Sequence, residues 1–82
     1  MTIKSPYITE KVTGMIDSDN TLEFLVEMKA TKPEIKKALE ELYEIRVESV
    51  RTMITSRGEK KAVVTMAGEN SANELATRLG LL

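Results

Sequence analysis

The chain contains no cysteine and no histidine. The first absence excludes disulfides, thiol chemistry and cysteine-built zinc sites. The second removes the commonest acid–base group and the usual catalytic triads. Carboxylates, lysines and hydroxyls remain, but no spacing gathers a nucleophile, a base and an orienting group. Neither an enzyme nor a cofactor is expected. Asp17, Asp19 and Asn20 superficially suggest a calcium loop, but the central glycine and closing glutamate of that motif are missing. That segment reads as a turn. Tryptophan is also absent, and the only aromatic residues are Tyr7, Phe24 and Tyr43. The segments 49–55 and 60–67 contain none, which argues against a domain that stacks bases on strand aromatics. No apolar run approaches the roughly 20 residues of a membrane helix. The start, Met1-Thr2-Ile3-Lys4-Ser5-Pro6, has no apolar signal region. A cytosolic protein without a membrane segment is expected.

What is present suits one small domain over residues 1–82. The composition is 41% hydrophobic and 30% charged, that of an ordinary globule with a small core. Net charge is −1, whereas nucleic-acid-binding domains are usually basic. The distribution is more informative than the sum. Residues 29–37 hold four lysines against one glutamate, and Arg57, Lys60 and Lys61 crowd a second spot. Residues 38–48 hold four glutamates against Arg46.

Hydrophobic periodicity gives the elements. Residues 2–5 suggest a short strand. Ser5-Pro6 looks like a helix start, with serine as cap and proline in the first turn. That helix is expected to run to about Ile16, with Ile8, Val12, Met15 and Ile16 on its apolar side. Residues 22–28 alternate, with Leu22, Phe24, Val26 and Met28 on one face and Glu23, Leu25 and Glu27 on the other. Thr31-Lys32-Pro33-Glu34 matches a capping box. It opens a helix striped by Ile35, Ala38, Leu39, Leu42 and Ile45. Val47–Thr55 reads as a strand in which Val47 is out of phase with Val50, so regular pairing is expected from about Ser49. A hairpin turn at 56–59 leads to a return strand over 60–67. Ser71-Ala72-Asn73-Glu74 matches a second capping box, and Gly80 is a natural helix end. The order is β-α-β-α-β-β-α. The expected fold is α+β, with helices packed on a mainly antiparallel sheet of three or four strands.

The helix at 31–45 has its charges the wrong way round. Lys32, Lys36 and Lys37 crowd its start; Glu40, Glu41 and Glu44 crowd its end. The helix dipole favours the opposite arrangement, by about 0.3–1 kcal/mol per charge at a surface. The pairs Lys36–Glu40 and Lys37–Glu41 also run in the weaker order. Charge runs are usually solvated faces, and that reading stands for the lysines alone. The reversed polarity favours a second one, a phosphate-binding face. The tip Arg57-Gly58-Glu59-Lys60-Lys61 has the same two readings: a harmless charged turn, or a basic hairpin reaching between RNA strands.

Three segments in order carry a family resemblance. They are Ser5-Pro6-Tyr7-Ile8-Thr9-Glu10-Lys11, then Ala30–Ala38 with Leu42–Val47, then Val50-Arg51-Thr52 with the basic hairpin and Lys61–Thr65. Together they resemble the large-subunit ribosomal protein family L-twenty-three, in its archaeal form. The residues 74–80 are similar too, so the likeness spans essentially the whole chain. It implies a structural protein bound to large-subunit rRNA beside the exit of the nascent-chain tunnel. It implies a monomer within the ribosome, with neighbouring ribosomal proteins and the signal recognition particle as partners. The RNA-contacting positions it implies are Lys4, Thr9, Lys11, Lys29, Lys32, Lys36, Lys37, Arg51, Arg57, Lys60 and Lys61. Asp17 and Asp19, in an expected loop, are candidates for partner docking. Two positions depart from the family. Glu48 stands where a basic residue is usual, and Arg51 where asparagine is frequent. The tip over 56–60 is short beside that of bacterial members, spanning little more than ~10 Å at strand rise. Tunnel sensing through it is not expected. The alternative from residues alone is a small regulatory α+β module binding a metabolite or a protein, with no RNA.

Overall fold

The computed structural model describes residues 1–81. In chain order the elements are β1 (Ile3–Pro6), α1 (Glu10–Asp19), β2 (Thr21–Val26), α2 (Lys32–Tyr43), β3 (Val47–Ile54), β4 (Lys60–Met66) and α3 (Ser71–Arg78). The strands form one wholly antiparallel sheet ordered β1-β2-β4-β3. The expected α+β architecture and element order are therefore present, with four strands. The β3–β4 hairpin folds back so that β4 lies between β2 and β3.

Alternation along β2 decides which side chains enter the core. Leu22, Phe24 and Val26 lie opposite Val64, Ala62 and Lys60 on β4. The first five are buried together with Ile16 of α1, Ile35 and Leu39 of α2, and Ala72, Leu75 and Ala76 of α3. Phe24 is the largest fully buried side chain, and its ring stacks on Tyr43 at 5.9 Å between centroids. Partial burial raises the Tyr43 hydroxyl pKa above its ordinary value. Val12 and Val63 are buried apart from this cluster.

Several local expectations are corrected. Ser5 and Pro6 do not start a helix. They belong to β1, opposite Leu25 and Phe24. An edge strand tolerates a proline, because its missing N–H need not face a partner. Thr9 caps α1 instead, its hydroxyl accepting from Val12 N–H at 3.2 Å. Ile8 thus precedes the helix and is exposed. The helix continues past Ile16 to Asp19, and Asn20 closes it in the left-handed conformation at φ 54°. Asp17 and Asp19 therefore occupy the last turn of α1 rather than a loop. Strand β2 ends at Val26, leaving Met28 in the following turn, and α2 ends at Tyr43 rather than Ile45.

The capping box of α2 is formed: Thr31 N–H and hydroxyl donate to Glu34 Oε1, each at 2.9 Å, and Thr31 Oγ1 accepts from Glu34 N–H at 3.3 Å. The one expected at α3 is not. Ser71 Oγ donates to Ala67 O at 2.9 Å, and the first residue outside the helix, Asn70, makes no side-chain cap. The phase slip read at Val47 is a bulge: pairing to β4 shifts between Val47 and Ser49.

Candidate nucleic-acid interface

The register gathers the candidate cations at one end of the sheet. Lys60 is opposite both Val26 and Ile54, and Ile3 is opposite Val26. The end of β2, the starts of β1 and β4 and the end of β3 therefore lie level. The turn carrying Lys29, the first turn of α2 with Lys32, and the hairpin tip with Arg57 all extend from this end. Lys4 sits at the β1 bulge beside it, and Lys36 and Lys37 follow one turn along α2. Lys4, Lys29, Lys32, Lys36, Lys37 and Arg57 are all exposed.

Among the described residues these cations make no ion pair. Among the described residues the ion pairs are the Met1 amino group with Glu27 at 2.8 Å and Lys61 with Glu23 at 2.9 Å. The Lys36–Glu40 and Lys37–Glu41 pairs suggested by spacing do not form. Glu40 instead accepts from Val47 N–H at 2.9 Å, anchoring the start of β3. The acids nearest the lysines are occupied elsewhere. Glu27 is held ionised below its ordinary value by the hydrogen bond and charge of the terminal amine. Glu34 is held low by its bonds from the Thr31 backbone, then hydroxyl. Both carboxylates stay charged, but neither makes an ion pair with Lys29 or Lys32.

Lys60 and Lys61 have structural partners. The Lys60 ammonium donates to Ala30 O at 2.7 Å and Met28 O at 3.2 Å, fixing the turn that carries Lys29. Carbonyls leave its charge intact. Lys61 points to the other face of the sheet and meets the buried Glu23, and it lies 5.4 Å from the centre of the Tyr7 ring. No hydrogen bond of regular geometry reaches Glu23 Oε1, so the Lys61 contact is an ion pair. Alternation alone would put Glu23 on the exposed side of β2; Lys61 is what allows its burial. Through Tyr7 the pair supports the segment leading to Thr9 and Lys11, which are exposed at the start of α1. Arg51 is exposed on edge strand β3, opposite Val63.

The opposite end is acidic. Asp17, Asp19, Glu40, Glu44, Glu48, Glu69 and Glu74 gather there, against Arg46 and Arg78. Asp17 accepts from the Asn73 amide at 2.8 Å, while the Asp19 carboxylate is exposed. Arg78 donates to Tyr43 O at 2.6 Å, so α3 supplies the cation that the last turn of α2 lacks. Nothing in the local sequence flagged Arg78. The net charge of −1 is thus the balance of two opposed ends, not a uniform surface.

No group of three or more acidic side chains suited to a metal exists among the described residues. No helix there is long and apolar enough to cross a membrane.

The family model described as "Ribosomal protein L23" matches residues 1–74. A relative in Methanothermobacter thermautotrophicus, named "Large ribosomal subunit protein uL23", is 43% identical over 79 residues, covering 96% of this chain and 92% of its own. A protein of the same name in Methanospirillum hungatei is 42% identical over 82 residues, covering all of both chains.

Proposed function

The chain belongs to the ribosomal protein L23 family, and from that premise we infer that it is a structural constituent of the large ribosomal subunit and not an enzyme. We propose that it binds large-subunit rRNA through its basic end, near the nascent-chain tunnel exit. The observation that carries this is the set of exposed cations at one end of the sheet, Lys4, Lys29, Lys32 and Arg57, which make no ion pair among the described residues. Lys36 and Lys37 extend the surface along α2. Thr9, Lys11 and Arg51 add contacts off this end; Lys60 shapes the site as well as charging it, and Lys61 supports it through its pair with Glu23.

Lysines are compact, strongly hydrated charges suited to phosphate rather than to base edges. Among the described residues no strand aromatic is exposed for stacking, so recognition is by phosphate position and RNA shape. The acidic end is repelled by the same polyanion. It is the surface we assign to protein partners, neighbouring ribosomal proteins and the signal recognition particle among them, with Asp17 and Asp19 on it.

Sedimentation of cell lysate tests this reading. The protein is expected to travel with large subunits through a moderate-salt wash and to be released at high salt. Migration as a free homodimer, with melting shifted by a small ligand, would favour a regulatory module instead.

A further inference from the structure

The basic end also carries exposed apolar side chains. Met28 is 52% exposed and Ile54 57%. Both flank Lys60: Ile54 is its partner across the hairpin, and the Met28 carbonyl accepts from its ammonium. Met53 and Met1, also exposed, lie at the same end. Leaving such side chains in water forgoes about 25 cal/mol per Å² of burial, so folding alone does not select them. Nor do they resemble single surface residues scattered at random, because they share their end of the sheet with Lys29, Lys32 and Arg57.

Resting on the RNA-binding reading, we propose that Met28 and Ile54 form an apolar wedge. It seats against ribose and base edges in a shallow minor groove of the rRNA, while the surrounding lysines hold the flanking phosphates. An RNA minor groove is wide enough to admit side chains and presents sugar carbons beside its hydroxyls. Exposed apolar side chains at the same end as several cations complement it: anionic at the rims, partly apolar at the floor. Lys60 is the hinge of the arrangement. Its ammonium is spent on the Met28 and Ala30 carbonyls, so it orients the wedge and adds charge from behind.

The two contributions separate by salt. Lysine–phosphate contacts release counterions and set the slope of log affinity against log salt. An apolar contact releases none, so its loss lowers affinity equally at every salt concentration. The experiment measures filter binding of the full chain to the large-subunit rRNA fragment selected by the wild type, from low to moderate salt. Met28→Gln and Ile54→Thr are each expected to weaken binding about five- to tenfold, as loss of partial burial of such a side chain implies, with the slope unchanged. Lys29→Gln combined with Lys32→Gln is expected to flatten the slope by roughly one for each phosphate that is no longer neutralised. Both apolar sites are exposed, and an unchanged melting midpoint verifies the fold of each variant. Wild-type affinity for Met28→Gln and Ile54→Thr, with the lysine effect intact, overturns the wedge alone. Loss of neither slope nor affinity in the lysine variant overturns the RNA reading beneath it. Weakened capture of a neighbouring ribosomal protein, with RNA affinity unchanged, reassigns the patch to that protein and also overturns the wedge.

Discussion

Asn20 caps α3 at Ala72, 52 residues further along the chain. Its Oδ1 accepts from Ala72 N–H at 2.8 Å, inside the first turn of that helix. The Nδ2 of the same amide donates to Met66 O at 3.0 Å and Gly68 O at 2.7 Å. One side chain thus joins the end of α1, the end of β4 and the start of α3, and it explains why Ser71 is free to bond Ala67 instead. Asn20 also takes φ 54°, a conformation asparagine tolerates better than most residues. Asn20→Ala is expected to cost roughly 3 kcal/mol, from the three missing hydrogen bonds and a strained backbone. Asn20→Gly relieves only the strain and is expected to cost less. Urea unfolding at constant m-value checks both; a change within about 0.5 kcal/mol for the alanine variant would contradict the role.

The Lys61–Glu23 pair makes a second prediction. Glu23 is 3% exposed, and Lys61 is its charged partner among the described residues. Lys61→Met strands a buried carboxylate and is expected to cost about 3 kcal/mol. Adding Glu23→Gln is expected to recover most of that loss, since breaking one side of a buried pair is worse than removing both. The double-mutant cycle reads the coupling directly. A neutral Lys61→Met would show that the pair supports nothing.

Acid sensitivity follows from Glu34. Its bonds from Thr31 hold the folded carboxyl below the ordinary value of 4.5. A depressed folded pKa contributes stability that is present above the unfolded value and lost as pH falls through the folded one. Stability of the wild type is therefore expected to decline below about pH 4.5 more steeply than that of Glu34→Gln, in which this group no longer titrates. Glu27, depressed by the terminal amine, adds to the same acid limb. Melting curves across the range of about pH 3–6 decide it; identical acid limbs would remove Glu34 as a contributor.

Sequence is most legible where the cause is local. Thr31 and Glu34 share one helical turn, and their spacing is enough to place the start of α2. The phase slip at Val47 exposes a bulge, because strand periodicity is rigid. It is least legible where a distant partner decides the outcome. Ser5-Pro6 has the composition of a helix cap, yet pairing with Leu25 and Phe24 keeps it in a strand. Ser71–Glu74 has the spacing of a capping box, yet Asn20 does the capping. Glu23 alternates as a surface residue and is buried because Lys61 meets it. At the interface, lysine clustering is visible in the chain. The lack of direct lysine–glutamate ion pairs there among the described residues is not, because Glu27, Glu34 and Glu40 bond the amino terminus, a cap and the Val47 amide instead.

The reversed charge order of α2 is the centre of the account, and one measurement tests it most directly. Lys32→Glu with Lys36→Glu changes two exposed residues that make no ion pair among the described ones. It makes the helix start acidic, as the dipole prefers, and at the same time sets like charges four apart at 32, 36 and 40, so the two effects on stability oppose each other. The account predicts a melting midpoint close to that of the wild type, together with binding to the large-subunit rRNA fragment weakened at least about a hundredfold at moderate salt and a shallower salt slope. Unchanged affinity and slope in the same titration would contradict it, and would return the lysines to a solvated helix face.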